Sequence, residues 1–121
     1  MEIYKTFTFD SAHQLFLPYD SKCNELHGHT YKIEVWIKGT VNKETGLIAD
    51  FTHIKKMIND NYDHKNLNQI PPFLNKNIPT TAENIATEIM LNIFVKFGFP
   101  CKVRIWETSN SYAEADSSEL K

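Results

Sequence analysis

The sequence predicts an α+β fold, a single domain over residues 1–121 in which two helices cover one face of a four-stranded antiparallel sheet. The expected order is β-β-α-α-β-β. Three observations carry this. Apolar and polar residues alternate over residues 2–9 and 29–39, the period-two pattern of half-buried strands. Two later stretches, about 51–62 and 81–97, repeat apolar residues at helical spacing. Alternation then returns over 101–107 and 111–115.

Each element has its own signal. Glu2–Phe9 is rich in aromatic and β-branched residues, as a strand prefers. Residues 14–24 hold Pro18, Asp20, Ser21 and Asn24 and read as a long connection. The second strand, about His29–Gly39, sets Tyr31, Ile33, Val35 and Ile37 on one phase and Trp36 on the other, so part of its second face is expected to be covered too. Val41–Gly46 is a turn. Asp50 or Thr52 N-caps the first helix, with Phe51, Ile54 and Ile58 on its inward stripe and His53 on its polar side. The helix ends near Tyr62, and residues 62–68 form a polar turn. Pro71, Pro72 and Pro79 exclude helix before Thr80 or Thr81, where Thr80 and Glu83 stand at capping-box spacing. Ile85, Ile89, Ile93, Leu91 and Phe94 give the second helix a broad stripe that stops at Gly98. Val103, Ile105 and Glu107 share one phase of the third strand. A short fourth strand closes a hairpin over Ser109-Asn110. The last six residues are polar and expected to fray.

Composition excludes several functions. Net charge is −2 and the longest basic run is Lys55-Lys56, which leaves no clustered basic face for nucleic acid. No apolar run reaches membrane-spanning length and the N-terminus has no signal-peptide core, so no membrane partner is expected and the default compartment is the cytoplasm. Two cysteines there read as thiols. Cys101 is expected to be a small strand or core residue.

Chemistry concentrates in Cys23-Asn-Glu-Leu-His27-Gly-His29. On an extended backbone His27 and His29 point to the same face, and Gly28 between them permits close approach of a backbone or ligand. If the first two strands pair antiparallel, His13 near the end of the first comes toward them. Three neutral imidazoles with an open fourth position form a catalytic zinc site. Two histidines around a glycine also fit an exposed loop, and a Cys23–three-histidine set would make a closed, structural zinc module with no catalysis.

His13, Cys23-x-x-x-His27-Gly-His29, Asp63-His64, Thr80-Thr81-x-Glu83 and Trp106-Glu107-Thr108 occur in the order found in the 6-pyruvoyl-tetrahydropterin synthase superfamily, which the chain resembles from His13 to Glu107. The resemblance implies the tunnelling or T-fold, trimers or hexamers with active sites between subunits, and 7,8-dihydroneopterin triphosphate as substrate. It implies Zn2+ held by His13, His27 and His29, Cys23 as base or nucleophile, and Asp63 and His64 as acid–base partners from a neighbouring subunit. It makes Glu107 the anchor of the pterin ring, with Thr80 and Thr81 near the same pocket. Taken alone, Asp63-His64 fits a surface turn and Glu107 an exposed ion-pair partner.

These roles suit the chemistry. Zinc polarises substrate oxygens, a thiolate beside a dication is a competent base, and a carboxylate matches two parallel N–H donors. The form Lys22-Cys23-x-x-Leu26-His27-Gly28-His29 and the brief loop before it resemble the branch that makes 6-carboxy-5,6,7,8-tetrahydropterin for queuosine, releasing acetaldehyde and triphosphate. The Asp63-His64-Lys65-Asn66-Leu67 run also resembles the branch that eliminates triphosphate to give 6-pyruvoyl-tetrahydropterin. A third branch has glutamate in place of the cysteine; here Glu25 is additional to Cys23.

Overall fold

A computed structural model describes residues 1–120. Strands β1 (Glu2–His13) and β2 (His27–Lys38) form a long antiparallel ladder in which Glu2 pairs with Lys38 and His13 with His27. The expected end of β1 at Phe9 falls four residues short. Asp10, Ser11 and Ala12 are weak strand formers, and they extend because Gly28, His29 and Thr30 supply the opposing rungs. Helix α1 (Phe51–Tyr62) follows, N-capped by Asp50, whose carboxylate accepts the Thr52 N–H at 2.9 Å. Strand β3 is only Lys65–Asn66, after which residues 67–69 make a single 3-10 turn. Helix α2 (Ala82–Phe97) leads to the hairpin of β4 (Cys101–Thr108) and β5 (Ser111–Asp116).

The sheet order is β3-β1-β2-β4-β5. It is therefore five-stranded, and its β3-β1 pair is parallel, with Ser11 opposite Lys65 and Ala12 opposite Asn66. The expected four-stranded antiparallel sheet is corrected by this one short strand. Two polar residues after a turn carry no periodicity, so β3 has no signal in the sequence.

Tyr31, Ile33, Val35 and Ile37 of β2 are all buried, together with Phe9, Val103 and Ile105 of the neighbouring strands. Ile54, Ile58 and Tyr62 of α1 and Ile85, Ile89 and Ile93 of α2 complete this core. Phe51, expected on the inward stripe of α1, is exposed because it is the helix's first residue and the stripe begins at Ile54. The opposite face of the sheet is covered by its own side chains. Glu34 accepts from Tyr4 Oη at 2.5 Å and from Trp106 Nε1 at 2.6 Å, and Arg104 lies over the Trp36 and Tyr112 rings.

The cap of α2 is Thr81, one of the two expected candidates, whose hydroxyl accepts the Asn84 N–H at 3.2 Å, and the expected Thr80–Glu83 box does not form. Gly98 closes the helix at φ 73°, a conformation that favours glycine. Residues 117–119 do not fray. They form a 3-10 turn in which Asp116 accepts the Ser118 N–H at 2.9 Å and Ser117 is buried; the remainder of that expectation, Lys121, lies outside the described residues. Cys101 is buried, as expected, and burial pushes its thiol up to about 11. His53 is exposed beside Asp50.

The two sides of α2 differ sharply in what they hold. Ile89→Ala should cost about 2–5 kcal/mol, because it opens a cavity under the sheet. Val95→Ala, at a position 83% exposed, should stay within about 0.5 kcal/mol. Urea unfolding of both variants checks this.

Candidate metal centre and active site

The β1–β2 register assembles the histidines. His13 faces His27 across the ladder and Ser11 faces His29, so all three imidazoles stand on the helix-facing side at one end of the sheet. Ring centroids are 4.5 Å apart for His13–His27, 4.8 Å for His27–His29 and 5.2 Å for His13–His29. Glu107, at the end of β4 and in phase with Val103 and Ile105, joins them. One ligand atom from each of the four residues lies within 4.8 Å of the others.

Hydrogen bonds set the imidazole tautomers. His13 Nδ1 lies 2.6 Å from the Thr80 carbonyl, and His27 Nδ1 lies 2.7 Å from the Glu25 carbonyl. A carbonyl only accepts, so each Nδ1 carries the proton and each Nε2 lone pair is turned toward the cluster. His13 Nε2 and His29 Nε2 are buried without a hydrogen-bond partner. His29 Nε2 is 3.1 Å from Glu107 Oε1, a short contact that lacks hydrogen-bond geometry. Burial lowers the His13 pKa, reinforced by its histidine neighbours and opposed by the Thr80 carbonyl. Burial also lowers that of His29, against the pull of Glu107. Neutral imidazoles with free, converging Nε2 atoms and a bound Nδ1–H fit a divalent metal, and the carbonyl partners are the outer support such ligands usually have.

Cys23 sits in a one-turn 3-10 segment, Lys22–Asn24, capped by Ser21 and half-buried. Its carbonyl accepts the Leu15 N–H at 2.9 Å, which ties this loop to the chain just past His13. Cys23 is not among the groups within mutual ligand reach, so the closed Cys–three-histidine set is not what the chain assembles; the fourth group is Glu107. Gly28 is not required by close packing, since a Cβ there would meet the Ser11 carbonyl at an ordinary 3.6 Å.

Asp63 and His64 form a second group. Asp63 C-caps α1, accepts the Asp10 N–H at 2.9 Å and holds His64 Nδ1 at 2.9 Å. Bonds from the Asp10 backbone and His64 keep the Asp63 carboxyl below its usual range. His64 has φ 56° and donates its backbone N–H to the Asp10 carbonyl, leaving its side chain 79% exposed. Asp10, Asp63 and His64 cluster apart from the three histidines. Within one chain the two halves of the expected site are not brought together.

Thr80 and Thr81 also divide. Thr80 is wholly buried under His13, whereas Thr81 caps α2 at the surface. Glu107 opens onto a cleft of about 480 Å³ that Ala82, Glu83 and Tyr112 also line. Sequence reasoning missed two features here. Glu107 stands beside the histidines through the offset of β4 against β2, and Asn68 supports the end of β1 through its side chain; neither follows from spacing.

The family model described as 6-pyruvoyl tetrahydropterin synthase matches residues 2–118. A Haemophilus influenzae protein named 6-carboxy-5,6,7,8-tetrahydropterin synthase is 35% identical over 137 aligned positions, covering 93% of this chain and 96% of its own. A Dictyostelium discoideum protein named 6-pyruvoyl tetrahydrobiopterin synthase is 36% identical over 118 positions, covering 86% and 87%. The Caenorhabditis elegans 6-pyruvoyl tetrahydropterin synthase structure superposes with a TM-score of 0.76 at 26% identity, covering 96% of this chain and 94% of that one. No helix among the described residues is long and apolar enough to cross a membrane.

Because His13 and His29 are held neutral in the fold, their protonation favours the unfolded chain below its ordinary value of 6.5. Their contribution to stability is full above that pH and is lost as pH falls through the lowered folded values. The urea midpoint of the metal-free protein should therefore drop between pH 7 and pH 5. His13→Asn, which keeps a donor for Thr80, should flatten the drop. An equal slope in both proteins would contradict the assignment.

Proposed function

The chain belongs to the 6-pyruvoyl tetrahydropterin synthase family, and from that premise we propose that it is a zinc-dependent lyase. It converts 7,8-dihydroneopterin triphosphate and one water to 6-carboxy-5,6,7,8-tetrahydropterin with release of acetaldehyde and triphosphate, a step toward queuosine. The observation that carries this reading is the convergence of His13, His27 and His29, with two buried Nε2 atoms left free, beside a carboxylate that opens onto a cleft. The Haemophilus relative, aligned over nearly its full length, supports the choice of product.

His13, His27 and His29 would hold the zinc. A bound zinc supplies Lewis acidity to the oxygens of the substrate side chain. Glu107 accepts two parallel N–H bonds from the guanidine-like edge of the pterin, for which its cleft leaves room at a size ordinary for small ligands. Thr81, next to Ala82 of that cleft in the chain, is the more exposed of the two threonines; Thr80 serves from beneath, through His13. Cys23 removes a proton from the side chain, and His64, oriented by Asp63, passes protons in turn. Since Asp63 and His64 are apart from the histidines in one chain, they serve a neighbouring subunit's site in a trimer or hexamer.

The alternative product is 6-pyruvoyl-tetrahydropterin, formed by elimination of triphosphate without side-chain cleavage. The Dictyostelium relative, at similar identity, favours it. Mass spectrometry after incubation with dihydroneopterin triphosphate separates the two: acetaldehyde with the carboxy product supports the lyase assigned here, and a pyruvoyl product without acetaldehyde replaces it.

Cys23→Ala should lower kcat by about 10²–10⁴-fold while zinc stays bound, the loss typical of a removed general base. Full activity in that variant would remove Cys23 from the chemistry. Glu107→Ala should keep zinc and mainly raise KM. Loss of zinc there, measured by metal analysis after gel filtration, would make Glu107 a fourth ligand instead of the pterin anchor.

A further inference from the structure

Asn68 lies in the 3-10 turn after β3, and its side chain does the work of a strand. Its Oδ1 accepts the Gln14 N–H at 2.8 Å and its Nδ2 donates to the Gln14 carbonyl at 2.8 Å. A backbone N–H only donates and a carbonyl only accepts, so these partners fix the orientation of the amide. The parallel ladder between β3 and β1 ends at Ala12 opposite Asn66. Two residues further on, the Asn68 carboxamide continues the pairing where backbone pairing has stopped. The Asn68 N–H is itself held by Asn66 Oδ1 at 3.1 Å, so the turn carrying it is braced.

The same Oδ1 is 3.3 Å from the Thr80 hydroxyl, which also lies 3.5 Å from the Gln14 carbonyl and 3.3 Å from His13 Nδ1. Thr80 is wholly buried, and its carbonyl takes the His13 Nδ1–H. Asn68 is thus bonded to the residue after His13 and to the residue that fixes His13's tautomer, with no hydrogen bond to His13 itself.

We infer that Asn68 is a positioning residue for the metal centre, its carboxamide locking the Gln14 backbone to Thr80 so that His13 presents Nε2 in one orientation. The inference rests on the three-histidine metal reading and extends it to a residue outside the cluster. Support of this kind acts through the ligand's geometry, and its loss typically weakens metal binding by about 10–100-fold.

The test uses the full chain with Zn2+ affinity measured by chelator competition and with the visible absorption of the Co2+-loaded protein. Asn68→Ala should weaken Zn2+ binding by about 10–100-fold and alter the Co2+ bands. Asn68→Asp keeps an acceptor for the Gln14 N–H and the Thr80 hydroxyl but sets a carboxylate oxygen against the Gln14 carbonyl in place of the donor, so it should also bind Zn2+ more weakly than wild type. Asn92→Ala, which removes a bond to the Tyr62 hydroxyl and none to Gln14, Thr80 or the histidines, controls for general destabilisation and should keep wild-type affinity and spectrum. Wild-type values in Asn68→Ala, or an equal loss in Asn92→Ala, overturn the role of Asn68 alone. If Asn68→Ala does not fold, Asn68→Asp carries the test: Zn2+ binding weaker than wild type with altered Co2+ bands supports the role, and wild-type values overturn it. Failure of the wild-type chain to bind either ion overturns the metal reading and this inference with it.

Discussion

The antiparallel register of β1 against β2 is the constraint on which the site depends. It places His13 opposite His27 and Ser11 opposite His29, and the pleat then turns the three imidazoles to one side. A slip of one residue would send the β2 side chains to the other face and scatter the cluster. That slip is opposed along the same ladder by Phe9, Tyr31, Ile33, Val35 and Ile37, each at most 1% exposed, whose burial requires the same phase as the histidines. The apolar core and the polar site are thus specified by one alternation, and the core supplies the energy that holds it.

That arrangement is costly at its polar end. His13 Nε2, His29 Nε2 and Tyr31 Oη are all buried without hydrogen-bond partners, and the Tyr31 ring lies 5.4 Å from His29 and 6.0 Å from His13. Burial raises the Tyr31 pKa, so its phenol stays a neutral donor. Each unpaired buried polar atom costs about 1–3 kcal/mol relative to a satisfied one. Three in one place form a local deficit that a metal and a polar substrate would offset. The Nδ1 side of His13 and His27 is the reverse, with both bonds made: His13 to Thr80, His27 to Glu25, and behind them Asn68 to Gln14. Rigid support on one side and unmet demand on the other are what a binding centre needs.

How much of this was legible depends on whether periodicity or tertiary offset set each feature. The strands, both helices and the buried stripe of β2 follow from alternation and helical spacing, and His13 was expected near His27 and His29 because two strands joined by a loop usually pair. The extension of β1 to His13 was not legible, because Asp10-Ser11-Ala12 is a poor strand sequence that the partner strand overrides. Thr81 was distinguishable from Thr80 as the cap only in three dimensions, where Thr80 is drawn under His13. β3 and the Asn68 clamp have no pattern at all: two backbone rungs and one carboxamide replace what a longer strand would have announced. Cys23, Asp63 and His64 were legible as candidates only from the family resemblance, which also implied that Asp63 and His64 belong to a neighbouring subunit's site; no spacing in the sequence shows their separation from the histidines.

That separation follows from the same alternation that builds the metal centre. Ser11 and His13 point toward the helices and are buried, whereas Asp10 points the other way and is exposed. Asp63 and His64 are tied to Asp10 through its backbone, at the β3 end of the sheet, and His64 reaches into solvent. Glu107 and its cleft lie toward the other end, where Ser111 and Tyr112 of edge strand β5 form one wall. The sheet thus has an acid–base pair near one edge and a candidate substrate cleft near the opposite edge. Edge strands carry unpaired backbone groups that favour pairing with another chain. On the proposed reading, the Asp63–His64 pair at one edge therefore serves the site of another chain, not the cleft of its own Glu107.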